Sequence, residues 1–341
     1  NYIDGGTVLV APGSIKDGIA LAGTSGIELR DLIVCNGDAG VSFTRTVGCL
    51  AERVQSRENK VGFRANLSAD ARFVHCASFK NTTNGFMNDQ AVISWENGVI
   101  WDNPDPLILG NSSISQFRNS VIKASGSGKR IYVLSESAVV TNTDYNNLVR
   151  ENGALIAERE KGFGGNEIYE SVYNWQGVHG QDLNSLSHDP LFADAAAGDF
   201  HPWSVQGRWV PGVGFVKDAY SSPTIDAGAP SYSFTNELHP NGGRINVGPY
   251  GNTGEASLSQ TNPWLVAVSF NDRPTISGTN YIRWLYGGMS TSALVKLEAS
   301  FNNGVSYSVI ASNVPMSFST GFAWNVSGTP LAPHCLWRVV S

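Results

Sequence analysis

Charge is scarce in this chain: Asp, Glu, Lys and Arg make up 15% of 341 residues, and the formal net charge is -6. So thin a distribution offers no cationic surface for nucleic acid or anionic lipid. Long apolar runs are missing too, and none reaches the roughly 18 to 20 residues needed to span a bilayer. Cysteine is limited to Cys35, Cys49, Cys76 and Cys335. With no CxxC pair, the spacing supports neither a zinc site nor a disulfide framework, and buried free thiols are expected ahead of a Cys35–Cys49 bridge. The chain opens at Asn1 without an initiator Met, which fits a removed leader or an excerpt of a longer protein. What is abundant is Gly, at 37 residues, together with Asn, Ser and Thr. That balance suits a turn-rich, extracellular all-β protein better than a helical cytosolic enzyme.

A repeat organises the first half. Leu32, Val54, Cys76, Val99 and Val121 recur every 22 or 23 positions, each at the start of a short apolar strand. A second apolar unit follows each one: Val41 to Phe43, Val61 to Phe63, Phe86-Met87, Leu107 to Leu109 and Ile131 to Val133. Asn, Gly, Asp and Ser clusters separate them, as turns require. Two or three short strands in a repeat of this length read as one coil of a solenoid, since no coil can bury its apolar face alone. Stacking sets like residues about 4.8 Å apart and builds a continuous core. Asn97 and Asn119 are expected to stack as a ladder at a turn, because Asn tolerates left-handed backbone angles. The coils are expected from about Thr7 to Val140. The predicted fold is an all-β, right-handed parallel β-helix (a single-stranded solenoid).

From about 140 to 257 the residues carry a resemblance. The strings are Thr143 to Asn147, Trp175-Gln176, Gly180 to Asp182, Asp189 to Phe192, Gly198 to His201, Ser222 to Gly228 and Pro240 to Gly251. Together they resemble bacterial secreted right-handed parallel β-helix surface proteins of the pectate-lyase-like solenoid superfamily. The resemblance implies an extracellular or cell-surface location and this fold, and no single activity. The domain division that follows is residues 1–200 as β-helix, 201–260 as a loop-rich capping or linker segment packed on it, and 261–341 as a separate module.

That module begins at Asn262-Pro263 and reads as six strands: Leu265 to Phe270, Tyr281 to Tyr286, Leu294 to Ser300, Tyr307 to Ala311, Phe322 to Val326 and Cys335 to Val340. Asn302-Asn303-Gly304 is a hairpin signal. Ile282 to Trp284, Val295 to Glu298 and Leu336 to Val339 resemble a fibronectin type III-like or Ig-like β-sandwich, with Trp284 as its buried aromatic. Such sandwiches have seven strands, so the last is expected to be lacking. Trimming or disorder of both ends is the plainer reading of these open termini; head-to-tail self-association into a filament is the sharper expectation.

Chemistry is harder to find. A polysaccharide lyase acting on acidic glycans needs a base, and cations to neutralise a uronate carboxylate. Lys60, Arg64 and Lys80 follow one another near the second strand of successive coils and are the lyase candidates; solvated turn residues are the plainer reading. No Asp-Asp pair accompanies His179-Gly180, Asp102 and Asp105 flank Pro104 as a turn, and the run Glu158 to Lys161 reads as a solvated loop. Ser125 to Arg130 has the look of a phosphate loop but lacks its first Gly and its Ser or Thr. The six histidines lack ligand spacing; His201 and His239 fall within the strings quoted above and read as structural. Calcium in an Asp- and Asn-rich turn is not locatable, and no other cofactor is implied. Trp101, Tyr132, Trp175, Trp203 and Trp209 are the aromatics available to stack on sugars, although most Trp in a β protein belong to the core. The expected function is that of a non-enzymatic structural or adhesive protein contacting extracellular polysaccharide, with the lyase as the alternative.

Overall fold

The computed structural model describes residues 2–10, 16–316 and 321–341. It divides into two compact units, Asn1–Ser259 and Gln260–Ser341.

The first unit is a parallel β-solenoid with three faces. Seven parallel strands stack on one face: Ile19–Ala22, Ala39–Thr44, Val61–Asn66, Asn84–Asp89, Asp105–Leu109, Arg130–Leu134 and Leu155–Arg159. This seven-stranded face is the third, and the long strand Glu28–Cys35 founds the first and second, in that order along the chain. Its first half pairs with Cys49–Glu52, and that stack continues through Asp70–Val74, Val92–Glu96 and Ile114–Arg118 to Val139–Val140. Its second half pairs with Gln55–Arg57, followed by Ala77–Phe79, Val99–Trp101, Val121–Ser125 and Asn147–Glu151. Each coil therefore contributes three strands, and parallel strands joined this way wind right-handed.

The corners explain why the repeat is so strict. Asp31, Arg53, His75, Asn97 and Asn119 turn the chain between the first two faces, all with φ between 48° and 54°. Asn36, Glu58, Lys80 and Asp102 do the same at the next corner, again with positive φ. One left-handed residue per corner re-aims the strand without a long loop.

Leu32, Val54 and Cys76 are buried in one stack, 22 residues apart, as the strand register requires. Val99 and Val121 do not continue it. Val99 lies opposite Ala77, and Val121 opposite Val99, so both belong to the neighbouring column that starts at Ile33. Gly98 and Ser120 occupy the expected rung instead. The cause is Trp95, whose indole fills that space: a Cβ on Gly98 would stand 2.4 Å from Trp95 Nε1 and 2.8 Å from the Cys76 carbonyl. Trp95 packs on Phe63, Phe73 and Phe86 at 5.4–5.7 Å between centroids, in the middle of the core.

A second internal column is polar. Asn59, Asn81 and Asn103 are buried and also 22 apart. Each accepts through Oδ1 from the backbone N–H of the coil before it (Gly37, Asn59 and Asn81, at 2.8–3.0 Å). Asn81 and Asn103 donate onward to the Ser56 and Ser78 carbonyls. Gly40, Gly62 and Gly85 clear the space, since a Cβ at any of them would lie 2.7–2.8 Å from the adjacent Asn Nδ2. The ladder expected at Asn97 and Asn119 is a weaker contact, 3.5 Å from Nδ2 to Oδ1. These two hold a different segment, described below.

The coils continue past Val140, because Asn147–Glu151 and Leu155–Arg159 extend both sheets. Their registers step by 25 or 26 residues (Tyr132 opposite Ala157, Val121 opposite Asn147), which erases the 22-residue signal from the sequence. Within residues 1–200, expected to be β-helix throughout, the chain also forms a helix, Val172–His179. Ser171 caps its start by accepting from Asn174 N, and Gly180, at φ 62°, ends it. His179-Gly180 is thus a helix terminus. Trp175 and Tyr132 are fully buried and stacked at 5.2 Å, so the helix closes the solenoid core.

From Phe192 to Ser259 the chain lies along the second face. Phe200 meets Phe79 and Phe192 meets Trp101, each edge to face. Asn97 donates to the Asn246 and Gly248 carbonyls, while Asn119 Oδ1 accepts from Ala229 N. His75 Nδ1 lies 3.0 Å from the Pro249 carbonyl.

In the second unit the expected strand Tyr281 to Tyr286 is two strands with different partners. Thr279–Ile282 pairs with Phe322–Asn325, and Trp284–Gly287 pairs with Trp264–Ala267. Leu294–Ser300 lies between Ser308–Pro315 and Leu336–Val340. The described residues therefore hold seven strands here rather than six. Asn303 and Gly304 both take positive φ in the hairpin turn. Ile282, Trp284, Val295, Leu297, Val314 and Trp324 form the core.

Candidate functional site

Two of the three lyase candidates meet on the third face. Lys60 Nζ stands 3.2 Å from Asp38 Oδ1, and Arg64 NH2 donates to Asp38 Oδ2 at 2.8 Å. Arg64 NH1 also lies 3.4 Å from Asp17, which accepts from Ala39 N and from the Ser42 hydroxyl. The hydrogen bond from Arg64 holds the Asp38 carboxyl below its usual range, with Lys60 adding to the effect. Strand periodicity puts Ser42 and Arg64 in register on the outward side, while Val41, Phe43 and Phe63 point inward and are buried. The result is a compact patch of two carboxylates, one guanidinium, one ammonium and one hydroxyl.

Lys80 is not part of it. It stands at the corner between the second and third faces, one coil from Glu58 and one from Asp102. There it alternates in charge with its neighbours in the stack.

Similar pairing runs over the rest of the solenoid. Arg30 bridges Glu28 and Glu52, Arg53 bridges Asp31 and Glu52, and Arg72 reaches Glu96. Lys123 pairs with Glu151, Lys129 with Asp105 and Arg130 with Glu158. Most of these pairs join successive coils, so the charged side chains serve the stack. Among the described residues, no group of three or more His, Cys, Asp or Glu is placed to hold a metal ion.

The aromatics proposed for sugar stacking divide. Tyr132 and Trp175 are core residues with no exposed surface, which removes them. Trp101 is partly exposed beneath Lys123, whose ammonium lies 4.4 Å from the ring centroid. Trp203 and Trp209 are also half-buried, Trp209 against Phe215. Ser125 to Arg130 is a turn between two strands, closed by Lys129 N donating to the Gly126 carbonyl. Cys35, Cys49 and Cys76 are buried free thiols, and Cys335 is free and exposed.

Sequence reading passed over three buried carboxyls. Burial pushes Asp182 up to about 6, although it accepts from Ser185, Asn146 and Trp175. Burial likewise raises Asp226 to about 6 and Glu237 to about 7. Asp182 and Asp226 stand inside the strings noted above, yet nothing in a single sequence marks a carboxyl as buried.

Fold and surface define an all-β parallel β-solenoid joined to a unit of small antiparallel sheets, and among the described residues no helix is long and apolar enough to cross a membrane. No protein-family model and no curated protein matches the chain. Among solved structures, the crystal structure of pectate lyase Pel9A is similar at 12% identity and a TM-score of 0.32, covering 68% of this chain and 69% of that one. A likeness so remote bears on neither activity nor substrate.

Proposed function

We propose that this chain is a non-enzymatic structural or adhesive protein of the cell surface or extracellular space, whose solenoid faces contact polysaccharide. The observation that carries this reading is the pairing of ionic side chains between coils, which spends charge on holding the stack together, as suits a scaffold. The half-buried Trp101, Trp203 and Trp209 are the aromatics offered to sugar rings. The second unit is read as a fibronectin type III-like sandwich, on its seven strands around Trp284 and Trp324. Self-association belongs to the same reading. Among the described residues, Ser308–Pro315 is hydrogen-bonded on one side only. It borders a cleft of about 360 Å³ lined in part by Phe301, Ile310, Phe322 and Trp324, and free strand edges template pairing with other chains.

A polysaccharide lyase is the second reading, and the meeting of Lys60 and Arg64 on one face favours it. Incubation with polygalacturonate and other acidic glycans separates the two. Co-sedimentation with insoluble polysaccharide, and no rise in unsaturated-uronate absorbance with or without calcium, is the scaffold outcome. Turnover that Arg64→Ala abolishes overturns it. Light scattering across concentration tests self-association, and a strictly monomeric species at high concentration counts against it.

A further inference from the structure

His201 is 3% exposed, and its ring is pinned from three sides. Tyr250 stacks on it at 3.5 Å between centroids with only 12° between the planes. Nδ1 lies 2.6 Å from Asp199 Oδ1, in the same strand, Asp199–Pro202. Next to it, Phe200 is fixed against Phe79 of the solenoid. The third side is the informative one. Nε2 is buried and has no hydrogen-bond partner, yet it faces Glu255 Oε2 at 3.6 Å. That distance is long for a hydrogen bond, whose N···O separation falls near 2.7–3.2 Å. Two metal bonds of about 2.0–2.2 Å meeting near a tetrahedral angle would set their donors about 3.4 Å apart.

We propose that His201 Nε2 and the Glu255 carboxylate bind one divalent transition-metal ion of the zinc class, with Asp199 as the residue that orients the imidazole. An N–H at Nδ1 donating to Asp199 leaves the Nε2 lone pair free, and a carboxylate behind the ring is the usual support of a metal-bound histidine. Imidazole with one carboxylate selects zinc, copper or nickel over calcium or magnesium. Asp199 faces the other ring nitrogen, so the chain supplies two donors. Glu255 is half exposed. The ion would tie the Asp199–Pro202 strand to the turn at Thr253–Glu255, where Glu255 N donates to Thr253 Oγ1.

Calorimetric titration of the full chain with zinc chloride at pH 7.5 tests this, alongside copper(II) titration followed by electron paramagnetic resonance. The expected result is one equivalent of zinc, and a copper signal split by a single imidazole nitrogen. Glu255→Ala, at a half-exposed side chain, weakens zinc binding at least tenfold. Asp199→Asn weakens it about 10- to 100-fold. His201→Ala abolishes binding but also removes the Tyr250 stack, so Glu255→Ala is the deciding variant. Zinc affinity unchanged in Glu255→Ala places the ion on another histidine and overturns the proposal. So does a His201 ring-proton resonance that titrates with pH but does not move with zinc up to millimolar concentration, the mark of an imidazolium held between two carboxylates.

Discussion

The coils between residues 28 and 125 and the segment between 192 and 259 both place polar groups in buried positions, by different means. In the coils, order comes from repetition: aromatic columns, an Asn ladder and one left-handed residue per corner recur at a fixed spacing. The segment has two short hairpins, Phe192–Asp194 with Asp199–Pro202 and Arg208–Val210 with Gly214–Val216, and is otherwise irregular. It is held by single hydrogen bonds to coil corners and by buried ionisable groups such as Asp226 and Glu237. Repetition satisfies backbone groups automatically, because each coil is the partner of the next. An irregular segment must meet each buried N–H and C=O with its own side chain. The coils should therefore respond to lost volume, and the segment to pH.

The largest effect is expected at Trp95. Trp95→Ala empties the space that excludes a side chain at Gly98 and should destabilise the solenoid by about 3–5 kcal/mol, read by denaturant unfolding. A loss below about 1 kcal/mol would mean that the column collapses to refill the gap, and the rigid-stack picture would fail. Next comes the ladder. Asn81→Ala strips bonds to Asn59, Asn103 and Ser56 and leaves Asn59 N–H buried without its acceptor, a cost of about 3 kcal/mol. Asn97→Ala, equally buried but removing donations of only 3.3–3.4 Å to the Asn246 and Gly248 carbonyls, should cost less.

The third prediction concerns pH. Asp182, Asp226 and Glu237 have folded-state pKa values of about 6, 6 and 7, raised by burial above unfolded values near 4. Their neutral forms favour the folded state. The contribution is complete below pH about 4 and is lost as pH rises through 6 to 7. Melting temperature should therefore fall between pH 5 and pH 8. Glu237→Gln should flatten the upper part of that slope, by on the order of 1–3 kcal/mol at pH 8. A Glu237→Gln profile parallel to that of the parent chain would refute the assignment. The smallest effect is expected at Arg72, which is 62% exposed and 3.6 Å from Glu96. Arg72→Ala should change stability by less than about 0.5 kcal/mol. A larger loss would show that the surface pairs, too, hold the stack.

Legibility followed the same division. The 22-residue spacing was readable because Leu32, Val54 and Cys76 meet the same interior at the same height. The reading slipped one rung at Val99, because a Trp three residues before Gly98 fills from one column the space of another, which no spacing rule contains. Asn59, Asn81 and Asn103 were in plain view as Ser-x-x-Asn in the first two coils, Ser56 to Asn59 and Ser78 to Asn81. A polar side chain is ordinarily assigned to the surface, and the ladder was missed for that reason. From Leu107 and Ile114 the coil already lengthens, to Tyr132 and Val139 on the next rung, and the pattern dissolves although the sheets do not. Of the candidate site, the residue types were found but not their neutralisation, since Asp17 and Asp38 reach Arg64 from other coils.

Local chemistry in the sequence alone determined that this chain is β-rich, turns at Asn, Asp and Gly, and repeats with a fixed period, because strand alternation and turn conformations depend on near neighbours. Tertiary structure alone decided which column each residue joins, which polar groups are internal, where the helix closes the core and which charges cancel. Those outcomes depend on groups 22 or more residues apart sharing one volume, and on what that volume has already been filled with.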